Sequence, residues 1–283
     1  MASIVKPEQS DYSCKNTDVD VNSLLTEEKL SFLHSYTKES DAVVLKNRIR
    51  SIREASRENY HVYGCIQNLR FLETKFDKHR LYHDMVVKLT TDRSTSILEV
   101  GCCFGTDVRK LLMDGVHKGQ IVASDVTSAF WELGKELYQD EQIINQIRTI
   151  WGDFATLNIQ DGIDIYKEGL VQTFDFVAAW AVLHVFSKHQ CEDFLRNVYK
   201  TLKSGGVFVG LCALQENEGE WKMGDKISAT PRYLHSMGSL AALLAEVGFI
   251  NVSVKPFAFD DSHCIKKTLK QDISAGIFEA ARQ

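Results

Sequence analysis

Proline is scarce, with three residues in a chain of 283, so no proline-rich linker or polyproline recognition segment is present. Cysteine is odd in number, at seven, and forms no CxxC pair. Cys102 and Cys103 are adjacent instead. That usage argues against a structural zinc site or a disulfide scaffold and points to a reducing, cytoplasmic setting. No apolar run is long enough to span a bilayer, and the start MASIVKPEQ lacks a basic-then-apolar leader. Neither sign of charge dominates: 33 basic against 38 acidic residues leave a formal charge of -5, which does not suggest a nucleic-acid binder. The basic run Lys46–Arg57 also carries apolar residues at helical spacing, so it reads as one helix with a solvated face. Two phosphate-binding signatures are missing as well. There is no GxxxxGK[ST] segment and no complete GxGxxG.

What is present is an ordinary globular composition, 44% hydrophobic and 25% charged, sufficient for one large α/β domain or one domain with a helical addition. Residues 1–23 read as a flexible tail, polar and without sustained period. Residues 24–92 read as a helical extension, expected to act as a lid over an acceptor, with two helices or one broken near Ser40–Asp41. From 93 to 283 short apolar strands alternate with amphipathic helices. Strands are expected at Ser96–Val100, Gln120–Ser124, Ile147–Ile150, Phe174–Ala179, Val207–Leu211 and Ile250–Val254, and a last one within Ile273–Ala280. A lid insertion is expected near 212–235, and Gly248 should close the last long helix. This alternation is the pattern of a Rossmann-like, seven-stranded, mostly parallel sheet with helices on both faces. Ligands of such sheets bind at the carboxyl ends of the strands.

The strongest local signal is Ile97-Leu98-Glu99-Val100-Gly101-Cys102-Cys103-Phe104-Gly105. A strand enters a loop with glycine at both ends and leaves it as a helix. Cys103 stands where a dinucleotide enzyme needs a middle glycine for the pyrophosphate, which argues against NAD or FAD. Glu99 is an acid just before the turn, awkward beside a phosphate but compatible with a cationic ligand. Its other reading is a carboxylate that ties down the loop amides. Asp125 closes the second strand, placed either to accept ribose hydroxyls or to cap the following helix. Asp153, in Trp151-Gly152-Asp153-Phe154, faces either an adenine edge or an ordinary turn.

ExGxxxG after the first strand, an acid after the second and GDF after the third resemble the class I S-adenosylmethionine-dependent methyltransferases. The stretch ILEVGCCFGTDVRKLLMDG is similar to the small-molecule O-methyltransferases of fungal polyketide and meroterpenoid pathways. YHVYGCIQNLRFL at Tyr60–Leu72, WAVLHVF at Trp180–Phe186 and Thr230–Gly248 resemble the same group, over roughly residues 55–255. One departure is Tyr63-Gly64-Cys65, where the group has proline after the tyrosine. The resemblance implies S-adenosyl-L-methionine as cofactor and S-adenosyl-L-homocysteine as product, and neither spacing nor composition suggests a metal. It implies a cofactor set of Glu99, Gly101, Cys102, Cys103, Gly105, Asp125, Val126, Asp153, Phe154, Ala179 and Trp180. Within that set Gly101, Cys103 and Gly105 border the methionine part, Asp125 the ribose, and Val126, Asp153 and Phe154 the adenine.

Methyl transfer to oxygen needs alignment above all, and a base only if the acceptor is not already anionic. His184 is the first candidate for a base or an acceptor-orienting group, against packing on Trp180 or bonding to a loop. His235 is the second, against a solvent-facing loop residue. Tyr63, Trp221 and Tyr233, with Trp180, are candidates for an aromatic acceptor pocket, against core packing. Arg70 pairs either with an acceptor carboxylate or in a surface salt bridge. The expected reaction is methylation of a hydroxyl, enol or carboxylate oxygen on a hydrophobic polyketide- or terpenoid-derived molecule. The expected partners are that molecule and, at most, a second copy of the chain. The alternatives are a cyclisation or rearrangement without methyl transfer, and a non-catalytic binding protein.

Overall fold

The computed structural model describes residues 21–59, 64–156, 162–221, 231–257 and 273–283. The chain opens with helices α1 (Val21–Leu24), α2 (Glu27–Thr37), α3 (Ala42–Asn59), α4 (Gly64–Gln67) and α5 (Tyr82–Thr91). There follow β1 (Ile97–Val100), α6 (Thr106–Met113), β2 (Ile121–Asp125), α7 (Ala129–Tyr138), α8 (Glu141–Ile144), β3 (Arg148–Trp151) and β4 (Phe174–Trp180). The remainder is α9 (Lys188–Thr201), β5 (Leu202–Gln215), the small strands β6 (Gly219–Trp221) and β7 (Arg232–Leu234), α10 (Met237–Val247), β8 (Phe249–Phe257) and β9 (Ile273–Arg282).

Seven strands form one sheet in the order β3-β2-β1-β4-β5-β9-β8. The first five run parallel, and β9 is antiparallel to both neighbours. β1 lies between β2 and β4 and is buried at all four of its positions, Glu99 included, because helices cover both sides of the sheet. On one face α9 and α10 bury Phe194, Leu195, Leu240 and Leu244 against Val177, Phe208 and Phe278. On the other, α5 and α6 bury Met85, Leu89, Val108 and Leu111 against Ile97, Ala123 and Val209. A third cluster joins Leu33, Leu45, Ile49 and Ile52 of α2 and α3 to Phe104, Leu133 and Leu137. Each such side chain contributes roughly 1.5–3 kcal/mol by leaving water, so the N-terminal helices are bonded to the sheet domain by its own core.

The helix break expected near Ser40–Asp41 is there: Lys38 ends α2 in the left-handed region at φ 59, and Asp41 Oδ1 accepts from Val43 N at 2.7 Å to start α3. Gly248, at φ 114, closes α10 as expected. β5 runs further than the expected Val207–Leu211, because β9 pairs with it residue by residue from Val207 to Gln215. Residues 212–215, expected to begin a lid insertion, are therefore sheet.

The N-terminal helices meet the sheet domain at one buried cation. The Arg109 side chain is wholly buried. Its guanidinium donates to both carboxylate oxygens of Asp140, at 2.8 Å each, and to the carbonyls of Phe104 at 2.6 Å and Gly105 at 3.1 Å. It lies 4.2 Å from the Tyr138 ring centroid. Tyr36 of α2 donates to Asp140 Oδ2 at 2.7 Å, which ties α2 into the same network. Arg109→Ala leaves Asp140 buried without its cation. The expected cost is about 3–5 kcal/mol, read in calorimetry as a melting temperature lower by roughly 10 °C. A shift within about 2 °C would mean that the ion pair adds little to stability.

Candidate functional site

The carboxyl ends of β1, β2 and β4 converge on the loop from Gly101 to Gly105. Three of its residues adopt left-handed backbone: Gly101 at φ 80, Cys103 at φ 49 and Gly105 at φ 70. A Cβ on Gly101 would collide with Cγ2 of Val182, and one on Gly105 would come within 2.7 Å of Trp131. Glycine is thus required twice, by conformation and by space. The segment after β4 presses on the loop through Val182, and Ala181 itself is left-handed at φ 58. That turn is strained for a residue with a Cβ, at roughly 1–2 kcal/mol.

Asp125 binds the loop. Its Oδ2 accepts from Cys103 N at 2.8 Å and its Oδ1 from Val126 N at 2.7 Å. It does not cap α7, in whose first turn Ala129 N donates instead to Thr127 Oγ1 at 3.2 Å. Burial raises the Asp125 carboxyl above its ordinary range, and the backbone bonds from Cys103 and Val126 oppose that shift. Glu99 is different. It is buried, and its Oε2 has no hydrogen-bond partner among the described residues. Burial and then the charge of Asp107 push its carboxyl well above the usual carboxylate range, with Asp125 adding to the effect. The tying-down of loop amides, one of the two readings of Glu99, falls to Asp125. Val126 stands 54% exposed beside that carboxylate, an apolar surface without cover.

Asp107 was missed in the sequence, hidden as a helix-start acid. It is buried and accepts from the backbone of Lys75 at 2.7 Å and Phe76 at 2.9 Å, which holds the chain before α5 against the loop. Cys102 is buried in the core, and Cys103 is half-buried. Asp153 Oδ1 accepts from Ala155 N at 2.8 Å within its own turn. Phe154 is turned inward, edge-on to Phe194 at 5.7 Å. Ala179 is fully buried, and Trp180 packs on Phe76 at 5.4 Å with its indole N–H unpaired among the described residues. The Phe154 and Trp180 rings therefore support the site from within the core.

Beyond β4, His184 is half-buried and its Nδ1 accepts from Ala213 N at 3.3 Å. The neutral ring then carries its proton on Nε2. Burial, then the charges of Arg232 and Arg70, lower its pKa from 6.5 to about 4. The ring is poised to donate a hydrogen bond, not to take a proton as the expected base would. Tyr233 N donates to the Phe186 carbonyl at 2.8 Å, so β7 lies along the segment that carries His184. His235 is buried and not solvent-facing. Its ring meets Tyr233 at 4.9 Å, Nδ1 lies 3.2 Å from Ser239 Oγ, and Nε2 is unpaired among the described residues. Burial lowers its pKa. Trp221 stands opposite Arg232 in the β6–β7 pair. Tyr63 lies outside the described residues. Arg70 reaches Glu73 at 3.8 Å.

The residues fit S-adenosylmethionine on three counts. The unpartnered Glu99 oxygen sits beside the loop among the like charges of Asp107 and Asp125, and a cation would relieve all three. The glycine cradle admits close backbone approach. Asp125 retains lone pairs for two hydroxyls beside the exposed Val126. Among the described residues no helix is long and apolar enough to cross a membrane, and no group of three or more His, Cys, Asp or Glu forms a metal-type cluster.

Comparison with known proteins agrees with this geometry. A family model described as a methyltransferase domain matches residues 97–206, from β1 into β5. The chain is 30% identical over 219 residues to the O-methyltransferase atr3 of Stereocaulon alpinum, covering 76% of this chain and 60% of that protein. It spans less than two thirds of the length of this protein and of two further methyltransferases it matches. A putative sarcosine dimethylglycine methyltransferase from Galdieria sulphuraria shares the fold at a TM-score of 0.51 and 14% identity, over 77% of this chain and 88% of that one. So does the [4+2]-cyclase SpnF, at a TM-score of 0.51 and 17% identity, over 70% and 79%.

Burying His184 neutral makes stability depend on pH. Its folded pKa, about 4, lies below the ordinary 6.5, so below pH 6.5 the unfolded chain binds a proton that the folded chain refuses. This contribution is complete above pH 6.5 and is lost as pH falls towards 4. In denaturant titrations from about pH 7 to about pH 5, wild type should lose more stability than His184→Gln. Parallel loss in both proteins would contradict the buried neutral ring.

Proposed function

We propose that this chain, a class I S-adenosylmethionine-dependent methyltransferase by fold and by its matched domain, transfers the methyl group of S-adenosyl-L-methionine to a carboxylate oxygen of a hydrophobic, polyketide- or terpenoid-derived small molecule. The observation that carries the reading is the acid-lined glycine cradle, with its unpartnered Glu99 oxygen, at the carboxyl end of β1. A cytoplasmic setting accords with it.

When bound, the cofactor supplies an electrophilic methyl group on a sulfonium. Glu99 would hold its positive charge, Asp125 would accept from its ribose hydroxyls, and Val126 would border its adenine. Asp153, which holds its own turn through Ala155 N, would border the adenine as well. The acceptor enters over His184, with Tyr233 as its aromatic neighbour; the expected roles of Tyr63 and of the Trp221 side chain fall outside the described structure. His184 donates from Nε2 to an acceptor oxygen. Arg70 and Arg232, close enough to depress the His184 pKa, give that end of the site a positive field. An oxygen that is already anionic fits this arrangement, because no proton has to leave it. His184 would hold that oxygen towards the methyl group that the bound cofactor would supply. Alignment of the two reactants then supplies most of the rate. Methylation of a neutral hydroxyl would instead require His235 as the base.

The second reading is a cyclisation without methyl transfer. It is favoured by one observation, the fold shared with a [4+2]-cyclase. Release of S-adenosylhomocysteine separates the two.

Calorimetry should show S-adenosylmethionine binding to wild type, weakened at least about tenfold in Asp125→Ala and in Glu99→Gln, the loss expected when a hydrogen bond to a charged group is removed. No binding to a folded wild type would reject the cofactor reading. An acceptor screen scored by S-adenosylhomocysteine release should favour aryl or terpenoid carboxylates over their methyl esters. His184→Phe should lower kcat/KM for the carboxylate by roughly ten- to a hundredfold while leaving cofactor affinity unchanged. Turnover of the esters alone, through a free hydroxyl, would overturn the choice of carboxylate.

A further inference from the structure

The sheet register fixes which way Glu99 faces. Along β1, Leu98 and Val100 pack in the core cluster under α9 and α10, while Ile97 packs in the opposite cluster, under α5 and α6. Side chains alternate along a strand, so Glu99 shares the face of Ile97 and points towards α6. Its partners across the sheet are Ala123 of β2 and Ala178 of β4, which offer no polar group. Two residues beyond Ala123, on the same face, stands Asp125. Asp107 stands in the first turn of α6, the helix that covers this face. Glu99 is 4% exposed, and its Oε2 has no hydrogen-bond partner among the described residues.

The three acids are unequally provided for. Asp107 accepts from the backbone N–H groups of Lys75 and Phe76, and Asp125 from those of Cys103 and Val126. The cations on the adjoining elements are engaged elsewhere. Arg109 of α6 is bidentate on Asp140, and Lys75 Nζ, before α5, donates to the carbonyls of Arg70 at 3.3 Å and Glu73 at 3.4 Å. The Cys102 thiol lies in the same cluster, and burial pushes its pKa up, so it adds no charge. In such a place a carboxylic acid is cheaper to bury than a carboxylate.

We propose that Glu99 carries a proton in the cofactor-free protein and releases it when S-adenosylmethionine binds, so that the site exchanges a proton for an organic cation. The inference rests on the reading of the Gly101–Gly105 loop as the cofactor site.

In the exchange the O–H bond of Glu99 breaks, its electron pair stays on the carboxylate, and the proton passes to solvent. The positive charge of the cofactor takes the proton's place. Burial first, and then the like charge of Asp107, hold the Glu99 carboxyl well above its ordinary range while the cofactor is absent. A cation at the carboxylate opposes both effects. The N–H bonds to Asp107 and Asp125 favour the ionised forms of those acids throughout. The bound protein thus holds one proton fewer than the free protein. By linkage, affinity rises with pH, by up to about tenfold per unit, and levels off above the pKa that Glu99 has in the free protein.

The test is calorimetry of S-adenosylmethionine binding to the full-length protein at about pH 6, where the cofactor's α-ammonium keeps its own proton. In Mes and in Bis-Tris, which differ in ionisation enthalpy, the apparent enthalpy should differ as release of about one proton requires. Glu99→Gln keeps the shape of the side chain and has no proton to lose. It should bind more weakly and release none. Infrared difference spectra of free wild type against free Glu99→Gln should show the carbonyl band of a protonated carboxylic acid, and that band should vanish from wild type when cofactor is added. The infrared test needs no binding by the variant. Binding to wild type without proton release, release undiminished in Glu99→Gln, or a band that persists in the complex overturns the exchange and leaves the cofactor reading standing. If folded wild type binds no cofactor, the cofactor reading fails and the exchange with it, while the band of the free protein still decides whether Glu99 is protonated.

Discussion

The guanidinium of Arg109 is the point on which the loop, the N-terminal helices and the sheet all depend. Burying a charge costs several kcal/mol unless it is fully paired. Here Asp140 takes one edge in bidentate fashion, the carbonyls of Phe104 and Gly105 take another donor, and Tyr138 covers the plane. Those two carbonyls are the end of the glycine loop. Their acceptance fixes how the loop turns into α6, which in turn fixes where Gly101 and Cys103 lie. Since Asp140 also holds Tyr36 of α2, the loop is not shaped by the sheet domain alone. The helical extension belongs to the architecture of the site.

A second constraint separates this loop from a phosphate-binding one. In dinucleotide folds the loop amides point at the ligand's anion. In this chain the amide of Cys103 is already bound by Asp125, and Glu99, Asp107 and Asp125 bring three acids to the same place. A phosphate there would meet like charge and one fewer donor. A sulfonium and an ammonium meet the opposite situation. Replacement of the middle glycine by Cys103 and placement of an acid at Glu99 are two parts of one electrostatic choice.

Much of the fold was legible, for a physical reason. Strands covered on both faces are short and largely apolar, and Ile97–Val100 and Phe174–Ala179 announce themselves, while the edge strand at Ile250–Val254 is read from its alternation of apolar and polar residues. Gly101, Gly105 and Asp125 were legible because strand-loop-helix geometry fixes their spacing. What escaped were pairings between residues far apart in the chain. Asp140 lies 31 residues from Arg109 and 104 from Tyr36, and neither helix period nor turn chemistry connects them. His184 illustrates a finer limit. Its place after the fourth strand was readable, but its protonation state was not, because that depends on an amide contributed by Ala213 of β5. Phe154 was assigned to the ligand by its position in GDF. Its ring turned inward instead because Phe194 of α9 offered an apolar neighbour.

The proposed reaction uses the site's charges in a way that bears on product release. Acids gather at the cofactor end and guanidinium groups at the acceptor end, so each reactant enters against a field of opposite sign. Low local polarity strengthens both attractions. Methyl transfer from a sulfonium to a carboxylate removes both reacting charges at once, leaving a thioether and an ester. Separated charges in a poorly screened site approach one another in the transition state, so their attraction grows along the reaction, which is the kind of interaction that accelerates it. Once the charges are gone, Glu99 loses the sulfonium, though not the ammonium, and the positive end loses its anion. The acceptor end is released more completely than the cofactor end. Ester should therefore leave first, with S-adenosylhomocysteine still held by Asp125 and Glu99, an order that follows from charge alone.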